Sequence, residues 1–273
     1  MTTAFKNRWV LVTGASSGLG EELAKQLARR GANLVLTART GPRLENLAAD
    51  LRRVNGIETR VVPMDLARPE GAPNLLDALQ RLPGPITHLI NNAGFGSAGA
   101  FAELDAERES AMVELNVGAV VRLTRALLGP MVEAGDGGVL NVASTAGFQP
   151  VPYMATYGAT KAFVVSFTLA LASELEGTGV RAMALCPGPV HTGFQAAAGF
   201  TRAALPIAVL SAQRTIEGAL AAYERGEQTH TPGVVNGVQS LAARLLPRGV
   251  VTWAAARTMR RLGRAPAKLP AKR

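Results

Sequence analysis

Short apolar runs alternate along this chain with longer stretches whose apolar positions recur every three or four residues. The short runs occupy residues 9–13, 33–38, 59–64, 87–90, 138–142 and 181–185. The longer stretches occupy 21–30, 42–55, 75–81, 107–128 and 155–175; in the first, Leu23, Ala24, Leu27 and Ala28 share one face. A period near 3.6 predicts helices, and runs apolar at successive positions predict strands buried on both faces. Such strands separated by helices predict an α/β fold whose parallel sheet is covered on both sides. Right-handed crossovers make the sheet doubly wound, with ligands at the C-terminal ends of its strands. No repeat, low-complexity tract or linker interrupts the pattern before Gly226. The reading is one domain over residues 1–227 and a helical extension over 228–273.

Between the first strand and first helix lies Thr13-Gly14-Ala15-Ser16-Ser17-Gly18-Leu19-Gly20, with glycines spaced G-x-x-x-G-x-G. Gly14 permits a sharp turn, Gly18 lets backbone approach a pyrophosphate, and Gly20 lets the helix pack on the strand. The helix N-terminus offers unpaired N–H groups to phosphate, and Ser16 and Ser17 add hydroxyls. The plainer alternative is a tight turn with no ligand; the flanking strand and helix favour a dinucleotide cradle. A nicotinamide dinucleotide with a free ribose 2′-hydroxyl usually meets an acidic side chain about 20 residues further on. Here the second strand ends Thr37-Ala38-Arg39, with no carboxylate. A guanidinium there suits a 2′-phosphate, so NADP(H) is preferred over NAD(H).

Tyr157 and Lys161 stand four apart in a helical stretch and so share a face. A nearby ammonium stabilises phenolate and lowers the tyrosine's ordinary value near ~10 toward the range useful for proton transfer. The pair alone is weak, because Y-x-x-x-K occurs on many exposed helices; Tyr153 has no such lysine partner. Ser144 adds weight. It ends the run Leu140-Asn141-Val142-Ala143-Ser144, where a hydroxyl can bond the same substrate oxygen that Tyr157 protonates.

The net charge of +9 changes the picture once it is located. Residues 228–273 hold nine Lys or Arg and no Asp or Glu, leaving 20 basic and 20 acidic side chains in residues 1–227. Any argument about membranes or nucleic acid therefore concerns the tail. Val238, Leu241, Leu245 and Leu246 make one helical face before Pro247. A second helix over 250–262 carries Val251, Ala255, Met259 and Leu262 on one side and Arg257, Arg260, Arg261 and, just beyond it, Arg264 on the other, with Trp253 nearer the arginines. Two readings stand: an interfacial helix on anionic lipid through 248–264, or a helix packed on the domain or a second subunit. Nucleic-acid binding is not expected, since no recognised module is present. The single Cys186 excludes an internal disulfide, and three scattered histidines make no metal site. The expectation is a cytoplasmic protein, free or peripheral at a membrane surface. No secretory pattern is legible at the N-terminus, and no uninterrupted apolar stretch of bilayer length is evident.

With these motifs in this order, the sequence resembles the short-chain dehydrogenase/reductase family, in its shorter branch, from about Arg8 to Thr192. The resemblance implies a Rossmann-like fold and places further residues. Gly14, Gly18 and Gly20 match the nucleotide turn; Asp65, followed by Leu66, matches the adenine contact. Asn91-Asn92-Ala93-Gly94 matches the segment along the cofactor, and Asn116 the asparagine holding a water in the proton relay. Ser144, Tyr157 and Lys161 match the remaining catalytic positions, the lysine also binding the nicotinamide ribose. Pro187-Gly188-Pro189-Val190-His191-Thr192 matches the segment gripping the carboxamide. One departure stands out: Thr87, followed by His88, replaces an aspartate that is structural in the family.

By this resemblance the chain is an NADP-dependent carbonyl reductase or alcohol dehydrogenase, with Tyr157 as general acid and base. The alternative is a non-catalytic cofactor sensor or scaffold on the same fold. Residues 194–214, holding Phe194, Phe200, Leu205, Ile207, Val209 and Leu210, fall where the family places a substrate lid. An apolar lid suits a lipophilic carbonyl; helix packing or a dimer contact is the competing reading. Phe95, Phe148, Val151 and Met154 are candidates for the same pocket. A homodimer or homotetramer is implied, built on helices 107–128 and 155–175.

Overall fold

A computed structural model describes residues 4–190, 192–198 and 209–262. Phe200, Leu205 and Ile207 of the expected lid lie outside the described residues, as do His191 and Arg264. Among the described residues, seven parallel strands form one sheet in the order β3-β2-β1-β4-β5-β6-β7. They are β1 (Trp9–Thr13), β2 (Asn33–Thr37), β3 (Thr59–Val61), β4 (Ile86–Asn91), β5 (Gly137–Val142), β6 (Val180–Leu185) and β7 (Thr229–His230). The order reverses between β1 and β4, and a crevice opens there at the strands' C-terminal ends.

The helices α1 (Gly18–Arg29), α2 (Gly41–Asn55), α3 (Gly71–Leu79), α4 (Ala106–Val113), α5 (Ala119–Ala134) and α6 (Ala155–Glu174) flank the sheet. Alternation along β1 divides the core. Val10 and Val12 join Leu23, Leu27 and Leu44 on one face, whereas Leu11 joins Leu75, Leu123 and Leu171 on the other.

Three differences from the sequence reading have physical causes. The helix expected over 107–128 is α4 and α5 joined by a π turn, Glu114–Gly118, which shifts the hydrogen bonds by one residue without disturbing the apolar pattern. Helix α8 (Ala212–Glu224) and strand β7 extend the sheet's second half; β7 pairs with β6 through only Ala184↔Thr229 and Leu185↔His230, too short to leave a periodic signal. Helix α6 is long and apolar enough to cross a membrane. It is a core helix, half buried against the sheet. His88 is a packed residue of β4, buried between Phe5 and Tyr223 with ring centroids 4.9 and 5.9 Å away. Burial pushes its imidazole down to about 4, so it stays neutral. Thr87, at the position of the missing aspartate, donates to the Trp9 carbonyl at 3.2 Å and ties β4 to β1.

The tail forms α9 (Val234–Leu245) and α10 (Arg248–Leu262); a short helix α7 (Phe194–Ala197) precedes α8. Val251 is buried and Met259 packs beside Met154 and Tyr157, so α10 lies on the domain through its Val251–Met259 side.

Candidate active site

The glycine turn is built as its spacing requires. Gly14 and Gly18 have φ of +66° and +60°, which side chains disfavour. A Cβ at Gly20 would collide with the Gly14 carbonyl oxygen, so Gly20 closes the turn from behind and does not line the cleft. Asn92 braces the turn: its amide donates to the carbonyls of Thr13 (2.9 Å) and Gly14 (3.2 Å). Thr13 Oγ1 accepts from the Asn92 and Ala93 N–H groups, both at 3.0 Å. Ser17 precedes α1 without capping it through its side chain.

A cleft of about 690 Å³ runs from this turn to Tyr157. Ser16, Ser17, Leu19, Asp65, Leu66, Ala93 and Gly94 line one part of it, and Pro187, Gly188, Val190 and Thr192 another. Asp65 accepts from the Ala67 N–H at 3.1 Å, which fixes its loop. Arg39 lines the far end, where Arg43, one turn into α2, joins it. Arg43 escaped the sequence reading, although its spacing from Arg39 across Gly41-Pro42 was a usable signal.

The catalytic end rests on a buried polar ladder. Asn91 donates to Asn141 Oδ1 and Asn141 to Thr168 Oγ1, each at 2.9 Å, joining β4, β5 and α6 beneath the site. Such buried amides stay satisfied and fix the spacing of their elements. Above it, Lys161 donates to the Val142 carbonyl at 2.7 Å, and its Nζ lies 5.8 Å from the Tyr157 ring centre. Ser144 Oγ accepts from the Ala146 N–H at 3.1 Å and faces the same cleft. Tyr153 has φ +66° and precedes α6, off the helix and away from the lysine.

The electrostatics differ from the sequence expectation. Burial pushes the Tyr157 phenol up to about 12, opposed by contact with Ser144, and burial pushes Lys161 down to about 8. Desolvation is the largest cause of both shifts, so Tyr157 is held as a neutral phenol.

Asn116 sits behind the cleft, on the π turn. Its Oδ1 accepts from the Phe95 N–H (3.2 Å), and its Nδ2 donates to the Phe95 carbonyl and Thr160 Oγ1 (both 3.1 Å). Both amide hydrogens are thus engaged by protein. A Cβ on Gly94 would come within 3.5 Å of Lys161 Nζ and 3.0 Å of Asn116 Oδ1, placing the two side chains side by side.

Beyond Tyr157 the cleft turns apolar. Phe95, Val151, Met154 and Phe194 line it, as expected of Phe95, Val151 and Met154; Tyr157 and Phe194 have ring centres 5.4 Å apart. Phe148 does not line it, but packs against the Ala143–Val164 cluster beneath Arg244. Gly96 was overlooked: a Cβ there would press on Phe194, Tyr157 and Met154. Arg108 was overlooked too. It donates to the carbonyls of Gly96 (3.3 Å) and Ala197 (3.2 Å), holding α7 over the pocket. The tail contributes Gln239, Ser240 and Ala243 from α9 and Met259 from α10.

Residues 8–202 match the family model for short chain dehydrogenases. The chain belongs to the short-chain dehydrogenase/reductase family. Ketoacyl reductase HetN of Nostoc sp. is 36% identical over 188 residues, 69% of this chain and 65% of the relative. Among solved structures, a short-chain dehydrogenase from Sphingobium yanoikuyae in complex with NADPH is similar at 34% identity and TM-score 0.78, covering 88% of this chain and 97% of that one. The bulky-bulky ketone specific alcohol dehydrogenase of Comamonas testosteroni is similar at 31% identity and TM-score 0.75, covering 95% and 96%. A short-chain dehydrogenase/reductase from Burkholderia phymatum in complex with NAD is similar at 27% identity and TM-score 0.79, covering 87% and 93%. The protein is thus an oxidoreductase of the NAD(P)-dependent class acting on an alcohol or carbonyl. Its doubly wound, Rossmann-like sheet is that of the family.

Proposed function

We propose that this chain reduces the carbonyl of a lipophilic small molecule, using NADPH. The observation that carries the reading is the position of Tyr157: a buried phenol where the polar, glycine-lined part of one cleft meets its apolar part. The polar part fits a dinucleotide, because its glycines keep open space that side chains would fill and Ser16, Ser17, Arg39 and Arg43 suit phosphate. The preference for NADPH rests on Arg39 and Arg43 at the ribose end, with no carboxylate between residues 33 and 44.

When bound, the cofactor supplies a hydride to the carbonyl carbon. Ser144 polarises the carbonyl by donating to its oxygen. Tyr157, a phenol at neutral pH, gives that oxygen its proton, so hydride and proton together make the alcohol. The Lys161 ammonium stabilises the phenolate left behind and binds the ribose. Asn116 braces the loop at Gly94–Phe95 and ties it to Thr160 of α6, one residue before Lys161. The apolar lining at Phe95, Val151, Met154, Phe194 and Met259 favours an acyl-chain, aromatic or steroid-like ketone. Exposed Val113, Val121 and Phe163 on α4, α5 and α6 support assembly into a homodimer or homotetramer through those helices.

A panel of aliphatic, aromatic and steroid ketones, assayed by loss of NADPH and NADH absorbance side by side, tests the reading. Turnover of apolar ketones with NADPH favoured is expected. No turnover of any ketone, with cofactor still bound, would leave the sensor or scaffold alternative standing.

A further inference from the structure

The tail carries a surface that reduction does not use. In α9 the polar side chains Asn236 and Ser240 point inward and are buried. Val234, Val238, Leu241 and Leu245 stand outward, 84%, 62%, 55% and 75% exposed. Their spacing of four, three and four residues aligns them in one stripe. Leu246, just before Pro247, and Val250 and Trp253 beyond it are also exposed and extend the apolar surface into α10. An apolar stripe turned to solvent by a helix that buries Asn236 and Ser240 instead marks a docking surface.

Charge selects the occupant. Arg244, Arg248 and Arg257 are exposed on these helices, and the Arg257 guanidinium lies 5.9 Å from the Trp253 ring centre. No carboxylate occurs in residues 228–273. A second copy across a two-fold axis would set this basic patch against itself. The remaining 227 residues carry no net charge to compensate. An anionic bilayer meets both halves of the surface: its headgroups attract the arginines and its acyl boundary accepts the stripe.

We propose that α9 and α10 dock this protein on the surface of an anionic lipid bilayer, with Val238, Leu241, Leu245 and Trp253 entering the interface. Gln239, Ser240, Ala243 and Met259 of the same two helices line the cleft, so docking sets the cleft's wall against the bilayer. Docking does not depend on the reduction chemistry. Failure of vesicle binding leaves the proposed reductase intact, and failure of ketone turnover leaves docking intact.

The full chain is sedimented with phosphatidylcholine vesicles with and without phosphatidylglycerol. Binding to the anionic vesicles alone is expected, released by salt. Trp253 emission should shift to the blue, while Trp9 is already buried and contributes a constant background. The L241E/L245E double variant, changed outside the cleft, should bind about tenfold or more weakly and still reduce a water-soluble ketone at the wild-type rate. That retained turnover reports a folded variant, and the salt titration of the unaltered chain stands without it. No sedimentation at low salt, equal binding to neutral vesicles, or equal binding by the variant overturns the proposal. So does a fall in the variant's particle mass by light scattering with no vesicle binding by the parent, which assigns the stripe to a second copy.

Discussion

Helices α6 and α9 line the same cleft and use their sequences in opposite ways. Helix α6 is apolar nearly all round and buries Tyr157, Thr160, Lys161 and Thr168 toward the sheet. Each of the last three has a partner: Thr160 donates to Tyr157 O, Lys161 to Val142 O and Thr168 to Val164 O. Helix α9 also buries two polar residues, Asn236 and Ser240, yet turns its best apolar stripe outward. An amphipathic pattern tells which face is apolar, not which face meets the protein. In α6 the buried Tyr157 and Lys161 carry the proposed chemistry; in α9 the buried Asn236 packs against the loop at Gly188.

The largest test of that contrast is Tyr157→Phe. Removing the hydroxyl deletes the proposed proton donor while keeping the ring that packs against Phe194. Turnover should fall by about 10²–10⁴-fold, with cofactor affinity and thermal midpoint nearly unchanged. Steady-state kinetics with cofactor titration checks it; a rate within a few-fold of the parent removes Tyr157 from the chemistry.

Asn236→Ala makes the converse test in α9. Asn236 donates to the Pro232 carbonyl at 2.8 Å, and its amide sits so close to Gly188 that a Cβ there would clash with it. Losing a buried hydrogen bond costs about 1–2 kcal/mol. At this chain length that lowers the thermal midpoint by about 2–6 °C. Because Asn236 touches the loop at Gly188 and no reacting group, kcat should change little. Calorimetry and kinetics on one sample decide: a large loss of kcat at unchanged stability would erase the distinction between the two helices.

Much of this was legible beforehand, and the reasons are local. The runs at 9–13, 138–142 and 181–185 are strands because successive apolar residues meet helices on both faces. Gly14 and Gly18 declared the turn because few other residues tolerate their φ. Ser144, Tyr157 and Lys161 share one cleft, as their spacing implied. What escaped depends on the fold around it. The repeat of Ile216, Ala219, Leu220 and Tyr223 was readable as helix α8, but the expected lid, ending at Arg214, overlapped its start at Ala212. Gly96 and Arg108 act through Phe194 and Ala197, about 90 residues away in sequence, and no local pattern announces such partners. The order of the two shifts in the Tyr157–Lys161 pair is likewise invisible to spacing, since it comes from desolvation by everything packed around them.

That order sets the smallest prediction, a pH profile that separates α6's two titrating groups. With Lys161 pushed down to about 8, its ammonium is present below that pH and lost above it. Tyr157, pushed up to about 12, keeps its proton across the accessible range. At saturating NADPH the initial rate of ketone reduction should therefore be level from mildly acidic to neutral pH and decline several-fold as pH rises through about 8. The decline reports loss of the charge that steadies the phenolate, not loss of the donated proton. Lys161→Arg separates the causes, because a guanidinium stays charged throughout. Whatever the variant's absolute rate, its profile should stay level through pH 8. A variant that still breaks there assigns the titration to the phenol, and then the lysine depresses its partner as the spacing alone implies.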